Sequence, residues 1–272
     1  MQCVKLQPTF VEKICGQDRF SSHTSEKSGR RIGELWFDRA DNGRPDSDYS
    51  PLLVKYIYTS ERLSIHIHSS DAPARTDGHV RGKKECWYIL GAEPASSLAI
   101  GTTRPVDGQA LRAAALNGEL ETLMDWRPVG AGDFYVIPAG TVHTIGAGIS
   151  LVGVLQNVDT TYRLYDCGRP CELHLDEGPA ASNAAPHSLP SMHRPPGSTS
   201  TLLYDGPFCL LLATMLGGAT RDAGQPMPTW HGSFPYAAMA MSTDMAERPE
   251  SVGGSCRPCR RPLPPVTAIV FL

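Results

Sequence analysis

No apolar run in this sequence approaches the roughly 20 residues that a membrane span needs, so a transmembrane helix is not expected. The first residues, MQCVKLQPTFVEKICG, lack both the apolar core and the small-residue cleavage site of a secretory leader, and none is expected. An excess of charge of one sign is also missing. The formal net charge is −3 over 272 residues, which provides no electrostatic pull toward nucleic acid or an anionic membrane. Cysteine is present eight times, but at irregular spacings in a long chain. That fits a reduced, cytoplasmic protein better than a disulfide framework.

Turn formers are abundant: 26 glycines and 23 prolines cut the apolar runs into short pieces. This is the texture of an all-β protein with many connections. Strands are expected at Leu52–Tyr58, Leu63–His68, Cys86–Leu90, Leu98–Ile100, Asp133–Ile137, His143–Ile145, Leu151–Val154 and Tyr162–Tyr165, where Val, Ile, Tyr and Leu dominate. One helical stretch is expected, Gln109–Leu123, with Ala and Leu at helix-like spacing and Gly118 dividing it into two. Residues 178–200, rich in Pro, Ser and Ala, read as a linker. Strand-like sequence returns in TLLYDGPFCLLLATML and in the final VTAIVFL. The chain is long enough for one and a half barrel units. The expected organisation is a metal-binding β-barrel domain over 1–177, the linker, and a reduced second half over 201–272.

The chemistry is concentrated in histidines. His66 and His68 lie in LSIHIHSS. A strand alternates its faces, so both imidazoles point the same way and Ile65 and Ile67 point the other. Further on, GDFYVIPAGTVH runs from Gly132 to His143 as a strand, a tight Pro138/Gly140 turn and a histidine entering the next strand. Proline presets φ and glycine permits positive φ, so the turn brings His143 back beside a neighbouring strand.

This G-x5-P-x-G-x2-H pattern resembles the second motif of the cupin superfamily, small jelly-roll barrels. The superfamily's first motif is HxH followed by a glutamate, and Glu85 in GKKECWYIL stands in that place across the intervening loop Ser69–Lys84. Three imidazoles and a carboxylate suit Zn²⁺, with Fe²⁺, Mn²⁺ or Ni²⁺ as alternatives. A position stays open for water or a substrate hydroxyl.

The blocks together resemble class I mannose-6-phosphate isomerase of the short bacterial type. The resemblance runs through GELWF (Gly33–Phe37), PLLVKYIYTSERLSIHIH, GKKECWYIL, GDFYVIPAGTVHTIGAG and TYRLYDCGRPCELHLDE to about Glu177, and resumes weakly at LLYDGPF. It implies Zn²⁺-dependent interconversion of mannose 6-phosphate and fructose 6-phosphate, so the expected partner is a small sugar phosphate. By position, the family's metal ligands fall on His66, His68, Glu85 and His143. Its lysine falls on Lys83, its arginine on Arg163, and the acidic residue four before that on Asp159. Lys83 would bind phosphate or a sugar oxygen as a point charge. Arg163 would clamp phosphate or stabilise charge developing on oxygen.

The sequence also departs from that family. LVGVLQN stands where the short bacterial enzymes usually read LIEVQQN, so Gly153 replaces an acidic residue and Leu155 a glutamine. His66 replaces the usual glutamine, and HSSD the usual HPDD. Isomerisation through an enediol needs a base to carry a proton between C1 and C2, and Asp159 is the carboxylate expected to take that role. A non-catalytic cupin that binds a sugar or sugar phosphate is the competing reading, and a metal-dependent dioxygenase a weaker one.

Other signals carry little. Cys256 and Cys259 form a CxxC without a second ligand pair, within a Pro/Arg-rich stretch that includes Arg257, Arg260 and Arg261. Trp36, Trp87 and Trp126 read as core or pocket wall. His174, His187, His193 and His231 have no partners at ligand spacing.

Overall fold

Strand pairing in the computed structural model is antiparallel throughout the described strands, as short apolar runs separated by tight turns require. The structure describes residues 7–17, 31–38, 52–187, 192–193, 200–205, 208–213, 239–240 and 267–271. Cys256, Cys259, Arg257, Arg260, Arg261 and His231 lie outside them. The chain divides into two units, one holding the described residues up to 193 and one those from 200 onward.

The first unit has two sheets. The larger runs in the order β1(Gln7–Gln17), β2(Ile32–Asp38), β3(Leu52–Tyr58), β10(Ile149–Gln156), β5(Glu85–Ala92), β8(Asp133–Ile137), β12(Met192–His193). The smaller runs β11(Thr161–Tyr165), β4(Ile65–His68), β9(His143–Ile145), β6(Ser97–Thr102), β7(Met124–Pro128). Non-sequential neighbours in both sheets make this the jelly-roll that the cupin motif implies. All eight expected strands are present, three with the expected bounds and five shifted by one or two residues at one or both ends.

Two apolar cores are formed among the described residues of this unit. Between the sheets, Ile57, Trp87, Ile89 and Leu151 of the larger meet Leu98, Ile100 and Ile145 of the smaller. The second core lies on the outer face of the smaller sheet. There Ile65 and Ile67, facing away from the histidines as expected, pack with Leu111, Ala114, Ala115 and Leu120. Those four residues come from α2(Gly108–Asn117) and α3(Leu120–Leu123). Asp107 caps α2 by accepting from the Ala110 N–H at 2.8 Å, and Gly118 ends it at φ +81°, a left-handed conformation that glycine adopts without strain. The expected division of Gln109–Leu123 at Gly118 is therefore observed. A buried Leu or Ile stabilises such a core by about 1.5–3 kcal/mol.

Two shorter helices were not foreseen: α1(Asp71–Thr76), inside the Ser69–Lys84 loop, and α4(Glu177–Ala181). The second falls where composition indicated a linker. Gly178, Pro179 and Ala184 are buried, Thr141 bridges Asn183, Gly101 bridges Pro186, and β12 pairs with β8. Small residues allow this close docking, since a Cβ on Gly178 would lie 2.6 Å from Leu164 Cδ2.

The described residues of the second unit form a four-stranded sheet in the order β13(Ser200–Asp205), β14(Phe208–Ala213), β16(Thr267–Phe271), β15(Met239–Ala240). Both strand-like stretches expected after residue 200 contribute to it. Among the described residues, no helix is long and apolar enough to cross a membrane.

Candidate metal centre

The register of the smaller sheet assembles the histidines. His66 on β4 is the direct partner of His143 on β9. The turn before β9 closes with the Thr141 N–H on the Pro138 carbonyl at 3.2 Å, and Gly140, at φ +84°, donates its N–H to the His68 carbonyl at 2.6 Å. The Pro/Gly turn thus locks onto the very strand that carries the other two imidazoles. The three rings lie 4.4 to 5.1 Å apart, centroid to centroid. One ligand nitrogen from each falls within 4.8 Å of the others.

Glu85, at the start of β5, brings a carboxylate from the opposite sheet. Its Oε1 lies 2.9 Å from His68 Nε2, and its Oε2 accepts from Trp87 Nε1 at 2.9 Å. The Trp87 ring in turn packs against His143, 5.4 Å between centroids. All four expected ligands are therefore in one place, spanning the two sheets.

The surroundings prepare them as ligands. Nδ1 of His66 donates to the Ser64 carbonyl and Nδ1 of His143 to the Thr141 carbonyl, each at 2.8 Å. A carbonyl only accepts, so each ring keeps its proton on Nδ1 and presents a bare Nε2. Nδ1 of His68 pairs with Thr161 Oγ1 at 3.2 Å. His143 is 1% exposed, and its Nε2 has no hydrogen-bond partner. A buried acceptor left without a partner costs about 1–3 kcal/mol, and a cation is the partner this one fits. Burial drives all three imidazoles toward the neutral form, His66 well below its ordinary pKa and His68 down to about 3. Burial alone would raise Glu85, but His68 and Lys83 beside it hold its carboxyl well below the usual range. Three neutral imidazoles and one carboxylate are a donor set for a single divalent ion.

The centre opens into a cavity of about 810 Å³ between the sheets, within the usual range for small-molecule sites. Lys83, Asp159 and Arg163 all line it. Lys83 is 8% exposed, and burial lowers its pKa against the pull of Glu85. Arg163 stands opposite His66 in the β11–β4 register, its Nη1 donating to the Glu172 carbonyl at 3.0 Å. Asp159 is exposed, on the loop before β11.

Sequence reasoning passed over three further cavity residues. His174, set aside for want of partners, accepts the Arg163 N–H at 3.0 Å on Nδ1 and so positions that arginine's backbone. Glu34 and Lys55 form an ion pair at 3.3 Å on the floor. A lysine in the middle of LLVKYIY was the available signal.

No protein-family model matches the chain. Among curated proteins, Bacillus subtilis YvyI, whose name places it among the mannose-6-phosphate isomerases, is 32% identical over 220 residues, covering 67% of this chain and 68% of that protein. The chain belongs to the mannose-6-phosphate isomerase family. The mannose-6-phosphate isomerase of Streptococcus mutans is 30% identical over 206 residues, 71% of this chain and 64% of the relative. The chain thus spans less than two thirds of that relative's length. In three dimensions the mannose 6-phosphate isomerase of Bacillus subtilis superposes with a TM-score of 0.58 at 26% identity, covering 78% of this chain and 76% of that one. Gly153, where the resemblance led to the expectation of an acidic side chain, lies on β10 between Lys55 of β3 and Trp87 of β5.

Proposed function

We propose that this chain is a Zn²⁺-dependent aldose–ketose isomerase that interconverts mannose 6-phosphate and fructose 6-phosphate. The observation that carries this reading is the grouping of His66, His68, His143 and buried Glu85 beside a cavity that His66, His68, Glu85, Lys83 and Arg163 line. In this reading those four residues hold the ion, residues 1–177 are the metal-binding cupin domain and 201–272 a reduced second half. A cytoplasmic location and a small sugar-phosphate partner go with it. The free thiols of Cys15, Cys86, Cys167 and Cys171 are consistent with a reducing compartment.

Bound Zn²⁺ supplies Lewis acidity, polarising sugar oxygens so that charge can develop on O1 and O2. The protein does the rest. Arg163 takes the phosphate as a fork of donors, its backbone fixed by His174. Lys83, buried beside Glu85, places a point charge on a sugar oxygen where water is excluded. The open-chain sugar lies along the floor, and a cavity carboxylate moves a proton between C1 and C2 through an enediol. Asp159 at the rim and Glu34 on the floor are the two carboxylates that this reading offers for that step.

The test is a coupled assay with mannose 6-phosphate before and after chelation. Turnover abolished by chelator and restored by one equivalent of Zn²⁺ is the expected result. One equivalent of metal bound with no turnover would instead identify a non-catalytic sugar-phosphate binder, and oxygen uptake with Fe²⁺ would identify a dioxygenase.

A further inference from the structure

The larger sheet carries a row of cavity-facing side chains across four strands. Glu34 and Trp36 stand on β2, Lys55 on β3, and Trp87 with Glu85 on β5, and the row is interrupted on β10 at Gly153. Lys55 pairs in register with both Trp36 and Gly153, and Gly153 in turn with Trp87. With strands about 4.8 Å apart, the gap at Gly153 lies midway between the Glu34–Lys55 pair and the Trp87–Glu85 edge of the metal centre. A Cβ at 153 would meet Lys55 Cγ, Ile57 Cδ1 and Leu155 Cδ2, each at 3.7 Å. The missing side chain would therefore have pointed into the space that Lys55 borders.

Other carboxylates facing the cavity are placed differently. Glu85 is held by His68 and Trp87, and Asp166 is bonded to Arg169 at 2.6 Å. Glu12 and Asp159 are exposed. Glu34 is 9% exposed and lies on the same face as the gap. It accepts from Lys55 Nζ at 3.3 Å and from Trp36 Nε1, which fixes its orientation and leaves lone pairs on both oxygens. Its charge also acts on Lys83, and that of Lys55 acts on His143, so the pair and the metal centre share one electrostatic environment.

We propose that Glu34, oriented by Lys55 and reaching over the gap at Gly153, is the carboxylate that carries the proton between C1 and C2, in place of Asp159 and of the acid absent at 153. This rests on the isomerase reading above. In the step, the C2–H bond of the open-chain aldose breaks and its proton passes to a Glu34 oxygen. The C–H electron pair becomes the C1=C2 bond, the C1 carbonyl electrons move to O1, and the O2 proton passes to O1. Glu34 then returns its proton to C1 as the C2 carbonyl forms, so no oxidant or reductant is required. Lys55 offsets the charge on Glu34 before and after transfer.

The experiment compares the unaltered zinc-loaded chain with Glu34→Gln, Asp159→Asn and the double variant Glu34→Gln/Gly153→Glu. Each is assayed for turnover, zinc content and the isotope effect with mannose 6-phosphate deuterated at C2. Glu34→Gln is isosteric and keeps one acceptor oxygen, for Trp36 or for Lys55. It is expected to retain one zinc and its KM while kcat falls about 10²- to 10⁴-fold. Asp159→Asn is expected to lower kcat far less than Glu34→Gln does. Gly153→Glu is expected to recover at least tenfold in the Glu34→Gln background, with a C2 isotope effect, because it restores a carboxylate over the same gap. Turnover of the unaltered chain that survives Glu34→Gln, or that is lost in Asp159→Asn, overturns the assignment of Glu34 alone. No turnover in the unaltered zinc-loaded chain overturns the isomerase reading, and Glu34 falls with it.

Discussion

His66 and His143 are direct cross-strand partners between β4 and β9, their rings 4.4 Å apart, although 77 positions separate them in the chain. The pairing is held by the Gly140 N–H bond to the His68 carbonyl. His143→Ala should remove a fully buried imidazole whose Nε2 has no protein partner. Zinc content measured by atomic emission is expected to fall from one equivalent to below about one tenth, with the fold intact by circular dichroism. Retention of a full equivalent would remove His143 from the centre.

The same orphaned nitrogen links metal to stability. A ligand that binds only the folded state at about a thousand times its Kd contributes about 4 kcal/mol. Chelated protein is therefore expected to melt several degrees below the zinc-loaded form. One equivalent of Zn²⁺ should restore the transition in a calorimetric scan. Identical melting with and without metal would argue against a preorganised site.

Lys83 is buried and feels the charge of Glu85, so it would meet a substrate oxygen from a water-poor position. Such charge-assisted hydrogen bonds contribute about 1.5–3 kcal/mol. Lys83→Met should therefore lower kcat/KM for mannose 6-phosphate about 10- to 150-fold while zinc content stays near one. A variant indistinguishable from the parent would make Lys83 a structural counter-charge to Glu85.

Ile67 lies on the strand that carries both His66 and His68, with its side chain in the core formed by α2 and α3. Ile67→Ala should cost about 2–5 kcal/mol in urea denaturation. Because the cavity faces the opposite side of the strand, metal affinity should change far less than stability.

Asp166 supplies a pH test away from the metal. Burial works to raise its pKa, but its bonds to Arg169 and the Cys171 thiol outweigh that and hold it below the usual carboxylate value. The folded state therefore binds the proton less readily than the unfolded state. The stabilisation is fully present above the ordinary carboxylate pKa of about 4 and is lost as pH falls through the lower folded value. Asp166→Asn should be less stable than the parent at pH 7, and the gap should close as pH falls below about 4. A gap constant with pH would show that Asp166 acts through packing instead.

Local pattern already contained much of the metal centre. The two-residue spacing of His66 and His68 placed both rings on one face, and the Pro138/Gly140 turn announced a reversal that returns His143 toward its neighbours, because alternation and turn geometry depend on adjacent residues alone. Gly118 likewise marked the break between α2 and α3. By contrast, β1 and β7 were not legible, and neither was the docking of residues 178–187, since small and polar residues become ordered there only by packing on surfaces distant in sequence. Glu34 and Lys55 were unremarkable singly, and Gly153 stood out only as a departure from the expected pattern. Only the order β2, β3, β10, β5 in the larger sheet sets them side by side on one floor, because register between strands far apart in the chain is decided by the burial of whole faces. The grouping of His66, His68 and His143 was thus set by local sequence, and the company they keep in the cavity by tertiary structure.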